Sequence, residues 1–182
     1  MLELLVAIIV MSLVMMGVYC IQIFSDNQVV TSNRKAAMQN EVSFILEHMS
    51  KQLNQAIGDG STYPVNYDTG DYFQVWIDSD HDGIFNATSD KQIYYHLTGA
   101  GAVEFCENAT SGGKSCAGFT PEVLSKHIIN FPTAFTINNA TNLVYVNLTA
   151  CWDPAQVASC GSLKNPSVTM STCIFLPSVA SN

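Results

Sequence analysis

The chain reads as an α+β protein: one long N-terminal α-helix, apolar in its first half and amphipathic in its second, packed on an antiparallel β-sheet head. Three observations predict this. Residues 1–24 are predominantly apolar and carry a single charge, Glu3. No proline occurs before Pro64 and no glycine between Gly17 and Gly58, so little in that stretch interrupts a helix. After Gly60 the helical period gives way to short runs of β-branched and aromatic residues set between turn residues.

Residues 1–24 form an apolar helix of membrane length, since about 20 apolar residues span a bilayer. They lack the basic start and small-residue cleavage site of a secretory signal. Glu3 sits poorly in such a run, where an unpaired carboxylate costs a few kcal/mol unless it meets a partner. Cys20 reads as a small packing residue. Residues 25–57 continue the helix: Met38, Val42, Ile45, Met49, Leu53 and Ile57 recur at three- and four-residue steps and form one apolar stripe. Asp26, Arg34, Lys35, Glu41, Glu47 and Lys51 lie largely off it. Gly58 is the expected C-cap, with Asp59 and Gly60 continuing the turn. At 1.5 Å per residue the whole helix is about 85 Å long.

Residues 58–182 form the head. Strands are expected at 72–77 (YFQVWI), 92–97 (QIYYHL), 102–106, 134–137, 143–148 (LVYVNL) and 168–175. Residues 122–128, after Pro121, read as a short helical turn. One antiparallel sheet lying on the amphipathic half of the helix accounts for both apolar faces. The last two strands form a hairpin whose long loop carries Cys151 and Cys160.

The net charge is −8, and from Gly58 onward there are four Lys and no Arg against eleven Asp and Glu. Phosphate contacts need clustered cations, so no nucleic-acid partner is expected. Cys106 and Cys116, and Cys151 and Cys160, bracket surface loops with nine and eight intervening residues, spacings that suit disulfides in an oxidising compartment outside the cytoplasmic membrane. Cys173 is then left over. The competing pairing joins Cys151 to Cys173 and leaves Cys160 free.

The sharpest local motif is Asp78-Ser79-Asp80-His81-Asp82-Gly83. Alternate carboxylates followed by glycine open a calcium loop, in which the carbonyl of Ile84 adds a ligand. The glutamate that closes an EF-hand is absent: Ser89 stands at its position, with Asp90 next. The expected cofactor is Ca2+, with Asp78, Asp80, Asp82, Ile84 and Asp90 as its ligands. The competing reading is a polar Asp/Gly turn between strands. His48, His81, His96 and His127 are scattered, and no nucleophile elbow, phosphate loop or zinc-protease motif occurs, so no enzyme activity and no catalytic residue are expected. Four Asn-x-Thr triplets, at Asn86, Asn108, Asn139 and Asn147, are acceptor signals that also arise by chance.

The segment Leu2-Glu3-Leu4-Leu5-Val6-Ala7-Ile8-Ile9-Val10, with the long helix behind it, resembles the N-terminal cleavage and methylation segment of bacterial type IV pilins and type II secretion pseudopilins. Residues 38–57 (MQNEVSFILEHMSKQLNQAI) are similar to the helix that continues into the head of minor pilins and the larger pseudopilins. The resemblance implies a pilin-like fold and a structural, homo-oligomeric subunit of a helical filament, held in the inner membrane before assembly and displayed outside the cell after it. A prepilin peptidase and the pilus assembly machinery are the implied partners. Glu3 would pair with the N-terminal amine of a neighbouring subunit. The implied alternatives are a minor pilin or pseudopilin at a filament tip, serving assembly priming, secretion or DNA uptake, and a calcium-dependent adhesin on the same scaffold. Two departures stand out. The family motif usually has two residues ahead of the position of Met1, and the proline common in the second half of the apolar segment is missing.

Overall fold

The computed structural model describes residues 2–58, 63–68, 72–86, 88–98, 101–107, 116, 120–130, 134–138, 142–176 and 178–179. One helix, α1, runs from Leu2 to Leu53. It is long and apolar enough to cross a membrane by length and composition. Residues 2–30 are exposed along their whole length, Cys20 included, so Cys20 is no part of the core of its own chain. Burial begins at Thr31 and continues through Met38, Val42, Ile45, Leu46, Met49 and Leu53. Leu46 widens the stripe beyond the positions that the three- and four-residue steps pick out.

Among the described residues ten strands follow α1: β1 (Ile57–Gly58), β2 (Val65–Asp68), β3 (Tyr72–Ile77), β4 (Lys91–Leu97), β5 (Val103–Cys106), β6 (Glu122–Ser125), β7 (Phe135–Asn138), β8 (Leu143–Cys151), β9 (Ser167–Phe175) and β10 (Ser178–Val179). Instead of one sheet there are two antiparallel ones, a five-stranded meander β2-β3-β4-β5-β6 and a three-stranded β7-β8-β9, with β1 and β10 paired in parallel beside them. An isolated bridge between Ile128 and Ala150 ties the two larger sheets. Phe73 of β3 stacks on Phe135 of β7 with ring centroids 4.2 Å apart. Both sheets turn alternate residues inward: Phe73, Val75, Ile93, Tyr95 and Val103 from the first, Val144, Val146, Leu148 and Ile174 from the second, all in one core with the helix stripe.

Three local expectations are corrected. The helix ends at Leu53, not Ile57. Gln55 and Ala56 tighten into three-residue turns on Gln52 and Leu53, and Ala56 then bridges Ile77 while Ile57 and Gly58 pair with Ser178 and Val179. Long-range strand pairing thus takes over backbone groups that a longer helix would use, and Gly58 is a strand residue; Asp59 and Gly60 lie outside the described residues. Residues 122–125 are an edge strand on β5, not a helical turn, with Leu124 and Ser125 buried. Finally, β2 lies where no strand is expected, anchored through the Pro64 carbonyl to the Trp76 N–H.

The disulfides are Cys106–Cys116 and Cys151–Cys160, with Cα atoms 5.7 and 5.8 Å apart. Cys151 pairs across the hairpin with Ser167, whereas Cys173 lies opposite Tyr145. Six residues along β9 separate Cys173 from that position, about 20 Å, far beyond disulfide reach. Cys173 is free and exposed.

The seam between helix and sheet also holds a histidine. The Nδ1 of His48 lies 2.9 Å from the Tyr95 hydroxyl, and its ring meets Phe105 edge-on at 4.6 Å. Burial pushes the His48 imidazole below its ordinary value, outweighing the upward pull of Glu122, while Lys51 adds to the downward shift. The unfolded chain therefore binds the extra proton more readily. Stability is full above the unfolded value of about 6.5 and falls as the pH drops from there through the lowered folded value. Urea midpoints measured at pH 7.5 and 5.5 will show this acid loss, and His48→Gln will flatten it.

Candidate functional site

Two regions carry the residues singled out by the sequence. Glu3 stands in the first turn of α1, and α1 is exposed from there to residue 30. A carboxylate at a helix N-terminus gains about 0.3–1 kcal/mol from the helix dipole in water. That gain does not explain why the one charge in this run sits among Leu2, Leu4, Leu5 and Ile8.

The second region is the loop joining β3 to β4. Asp78, Asp80 and Asp82 converge there, each offering a carboxylate oxygen, with the three oxygens within 4.8 Å of one another. That spread suits one cation with oxygen ligands at about 2.3–2.6 Å. The convergence comes from the backbone. His81 and Gly83 both have positive φ, 59° and 74°; glycine accepts this freely, and histidine in that region is uncommon. The loop curls back on itself, so the Gly83 N–H donates to Asp78 Oδ2 at 3.0 Å and the Ile84 N–H to Asp82 Oδ1 at 2.7 Å. The Ser89 hydroxyl bonds to Asp80 and, helped by backbone N–H groups, holds that carboxyl below the usual carboxylate range. Ser89 occupies the place of the closing EF-hand glutamate and makes a contact inside the loop.

These hydrogen bonds are what an Asp-rich turn makes without a metal. One atom departs from that account. Asp78 Oδ1 is shielded from solvent and has no hydrogen-bond partner among the described residues. A buried carboxylate oxygen without a donor is costly, and a cation is one way to relieve it.

Asp90 plays a different part from the expected one and stands outside the cluster. It is 7% exposed, and its two oxygens accept from the Ser79 N–H at 3.2 Å and the Asn86 N–H at 2.7 Å. It braces the two ends of the loop. Ile84 lies at the turn with its side chain exposed, beside the three carboxylates. The histidines have separate surroundings: His96 stacks on Tyr72 and lies 3.6 Å from Glu104, and His127 Nδ1 lies 2.7 Å from Glu41 on the helix.

Sequence reasoning missed a polar clamp between helix and head. Glu41 accepts from the Lys126 N–H at 3.2 Å as well as meeting His127. His127 stacks on Trp152, and the Arg34 guanidinium lies 5.2 Å from the Trp152 ring. Arg34 donates to the Lys164 carbonyl at 2.7 Å, and the Thr31 hydroxyl lies between two carbonyls, Asn27 of its own helix at 2.8 Å and Leu163 at 2.9 Å. The signal was available as polar residues spaced along one side of the helix, but their partners lie more than 80 residues away.

No protein-family model, curated protein or solved structure matches the chain.

Asp90 and Asp80 are separable by stability. Asp90→Ala leaves two loop N–H groups without their acceptor and will lower unfolding stability by about 1–3 kcal/mol in chelator. Under the same conditions Asp80→Asn will move the thermal midpoint far less, because Asp80 is exposed.

Proposed function

We propose that this chain is the structural subunit of a type IV pilus-like filament, resident in the inner membrane before assembly and outside the cell after it. The observation that carries this reading is the division of α1. Its first 29 described residues bury nothing in their own chain and carry one charge before Asp26, while the stripe from Met38 to Leu53 is built into the head. A plain anchor needs the apolar part but gives Glu3 no role. In a filament, copies of the apolar half pack against one another, and Glu3 of one copy neutralises the amine of the next. The N-terminal segment similar to the pilin cleavage and methylation motif supports the same reading.

In this reading the head coats the filament, and its Asp78–Asp80–Asp82 loop binds Ca2+ to hold the β3–β4 connection. The orphaned Asp78 oxygen favours that role over a bare turn. Calcium is therefore expected to raise the thermal midpoint of the protein in chelator-treated buffer, magnesium to raise it less, and Asp80→Asn to abolish the calcium response.

The decisive experiment is electron microscopy with mass spectrometry on material sheared from cells. Filaments made mainly of this chain, with a methylated N-terminus, are the expected result. Glu3→Ala is expected to lower the amount in filaments about tenfold or more while leaving the chain in the membrane, as loss of a few kcal/mol of pairing requires. Retention of wild type in the membrane with no filament would overturn the reading.

A further inference from the structure

Three of the seven cations of the chain, Arg34, Lys35 and Lys164, lie where the helix leaves the head, leaving four for the rest of a molecule with fifteen acidic residues. Asp26 is the only acidic residue between Glu3 and Glu41. Lys35 and Lys164 are exposed, and beside them Leu163 is 63% exposed and Val29 and Val30 are about half exposed. This apolar and basic surface is held on a rigid mount. The Cys151–Cys160 disulfide closes the loop before it. Asn165, 5% exposed, donates to the Asp153 and Gln156 carbonyls and the Ser159 hydroxyl and accepts from the Asp153 N–H. Thr31 and Arg34 then fasten the loop tip to the helix through the carbonyls of Leu163 and Lys164.

The position of this surface along the helix matters. Residues 2–24 span about 33 Å, close to the roughly 30 Å of bilayer hydrocarbon. Thr31 lies about 10 Å beyond Phe24, and a headgroup layer extends about 5–8 Å from the hydrocarbon. The Leu163 side chain covers the few ångströms left at that level. Arg34 and Lys35 lie higher, about 15 and 17 Å beyond Phe24, but helix side chains lean toward the N-terminus and so toward the membrane, and attraction between charges acts over a Debye length of about 8 Å.

We propose that this base is a foot that binds anionic phospholipid headgroups of the membrane the helix crosses, with Lys35 and Lys164 drawing the phosphates and Leu163 reaching the interface, while Arg34 holds the loop that carries them. The inference rests on the membrane-resident stage proposed above. The foot fixes the height and tilt of the head before the subunit leaves the bilayer.

The test is amide hydrogen exchange on the full chain reconstituted in two kinds of vesicle, phosphatidylcholine alone and equal parts phosphatidylcholine and phosphatidylglycerol. Exchange at residues 161–165 is expected to slow about tenfold or more with phosphatidylglycerol, to recover in about 0.5 M salt, and to recover roughly fivefold for each of Lys35→Gln and Lys164→Gln. Residues 4–24 should be protected in both vesicles. Protection of 4–24 with no effect of lipid charge at 161–165 overturns the foot and leaves membrane residence standing. Slowing that follows protein density rather than lipid charge assigns the surface to a second copy and also overturns the foot. Loss of protection at 4–24 removes membrane residence itself, and the foot with it.

Discussion

The face formed by Met38, Val42, Ile45, Leu46, Met49 and Leu53 is the surface on which the head is assembled. Residues from β3, β6, β8 and β9 come to it, so both sheets share one core with the helix rather than forming cores of their own. Full burial of a side chain of this kind stabilises by about 1.5–3 kcal/mol before entropy is subtracted. The seam is therefore comparable with the whole net stability of a domain, about 5–15 kcal/mol. Neither sheet has a second layer of its own, and a single bridge, Ile128 to Ala150, joins the segment after β6 to the end of β8. The helix is thus a core element at one end and an exposed apolar rod at the other, joined without a break.

The parts of this design that depend on local period were readable from the amino acids. The stripe on α1 and strands β3, β4 and β9 lie where the residue pattern places them, within a residue, and β8 begins where expected but runs three residues further, to Cys151. What was not readable depends on partners distant in the chain. Residues 54–58 are helix-compatible until Ile77 and the C-terminal pair Ser178–Val179 claim their backbone groups. Residues 122–125 carry a short apolar pair that suits a strand or a turn equally, and the free edge of β5 decides between them. The division into two sheets, held together by the Phe73–Phe135 stack and the Ile128–Ala150 bridge, rests on which strands pair, and that leaves no periodic trace.

The acidic loop illustrates a different limit. Asp78, Asp80, Asp82 and Asp90 are chemically identical in the sequence, yet the fold separates them. The first three point together around a curled backbone, and the fourth turns inward to cap two N–H groups. An alternation of aspartates encodes the curl, through the glycine and the left-handed residue that precede Ile84. It does not encode which carboxylate lies inside. That depends on how β3 and β4 are spaced by their own pairing, Ile77 opposite Lys91, which brings Ser79 and Asp90 close enough to share hydrogen bonds.

Apolar packing alone leaves the head free to slide or turn by small amounts on a smooth helical stripe, because dispersion contacts are non-directional. The polar clamp removes that freedom. Glu41 with His127, Arg34 over Trp152, and Thr31 with Leu163 are contacts of defined direction spread over ten residues, about 15 Å, of the helix. All three fall N-terminal to most of the buried stripe, on the side facing the exposed apolar rod. Force entering the head from that rod therefore meets the directional contacts first and the apolar seam second. The Cys151–Cys160 loop belongs to the same device, since Trp152, Leu163 and Lys164 all sit on or beside it, and a loop closed covalently transmits load to β8 without first straightening.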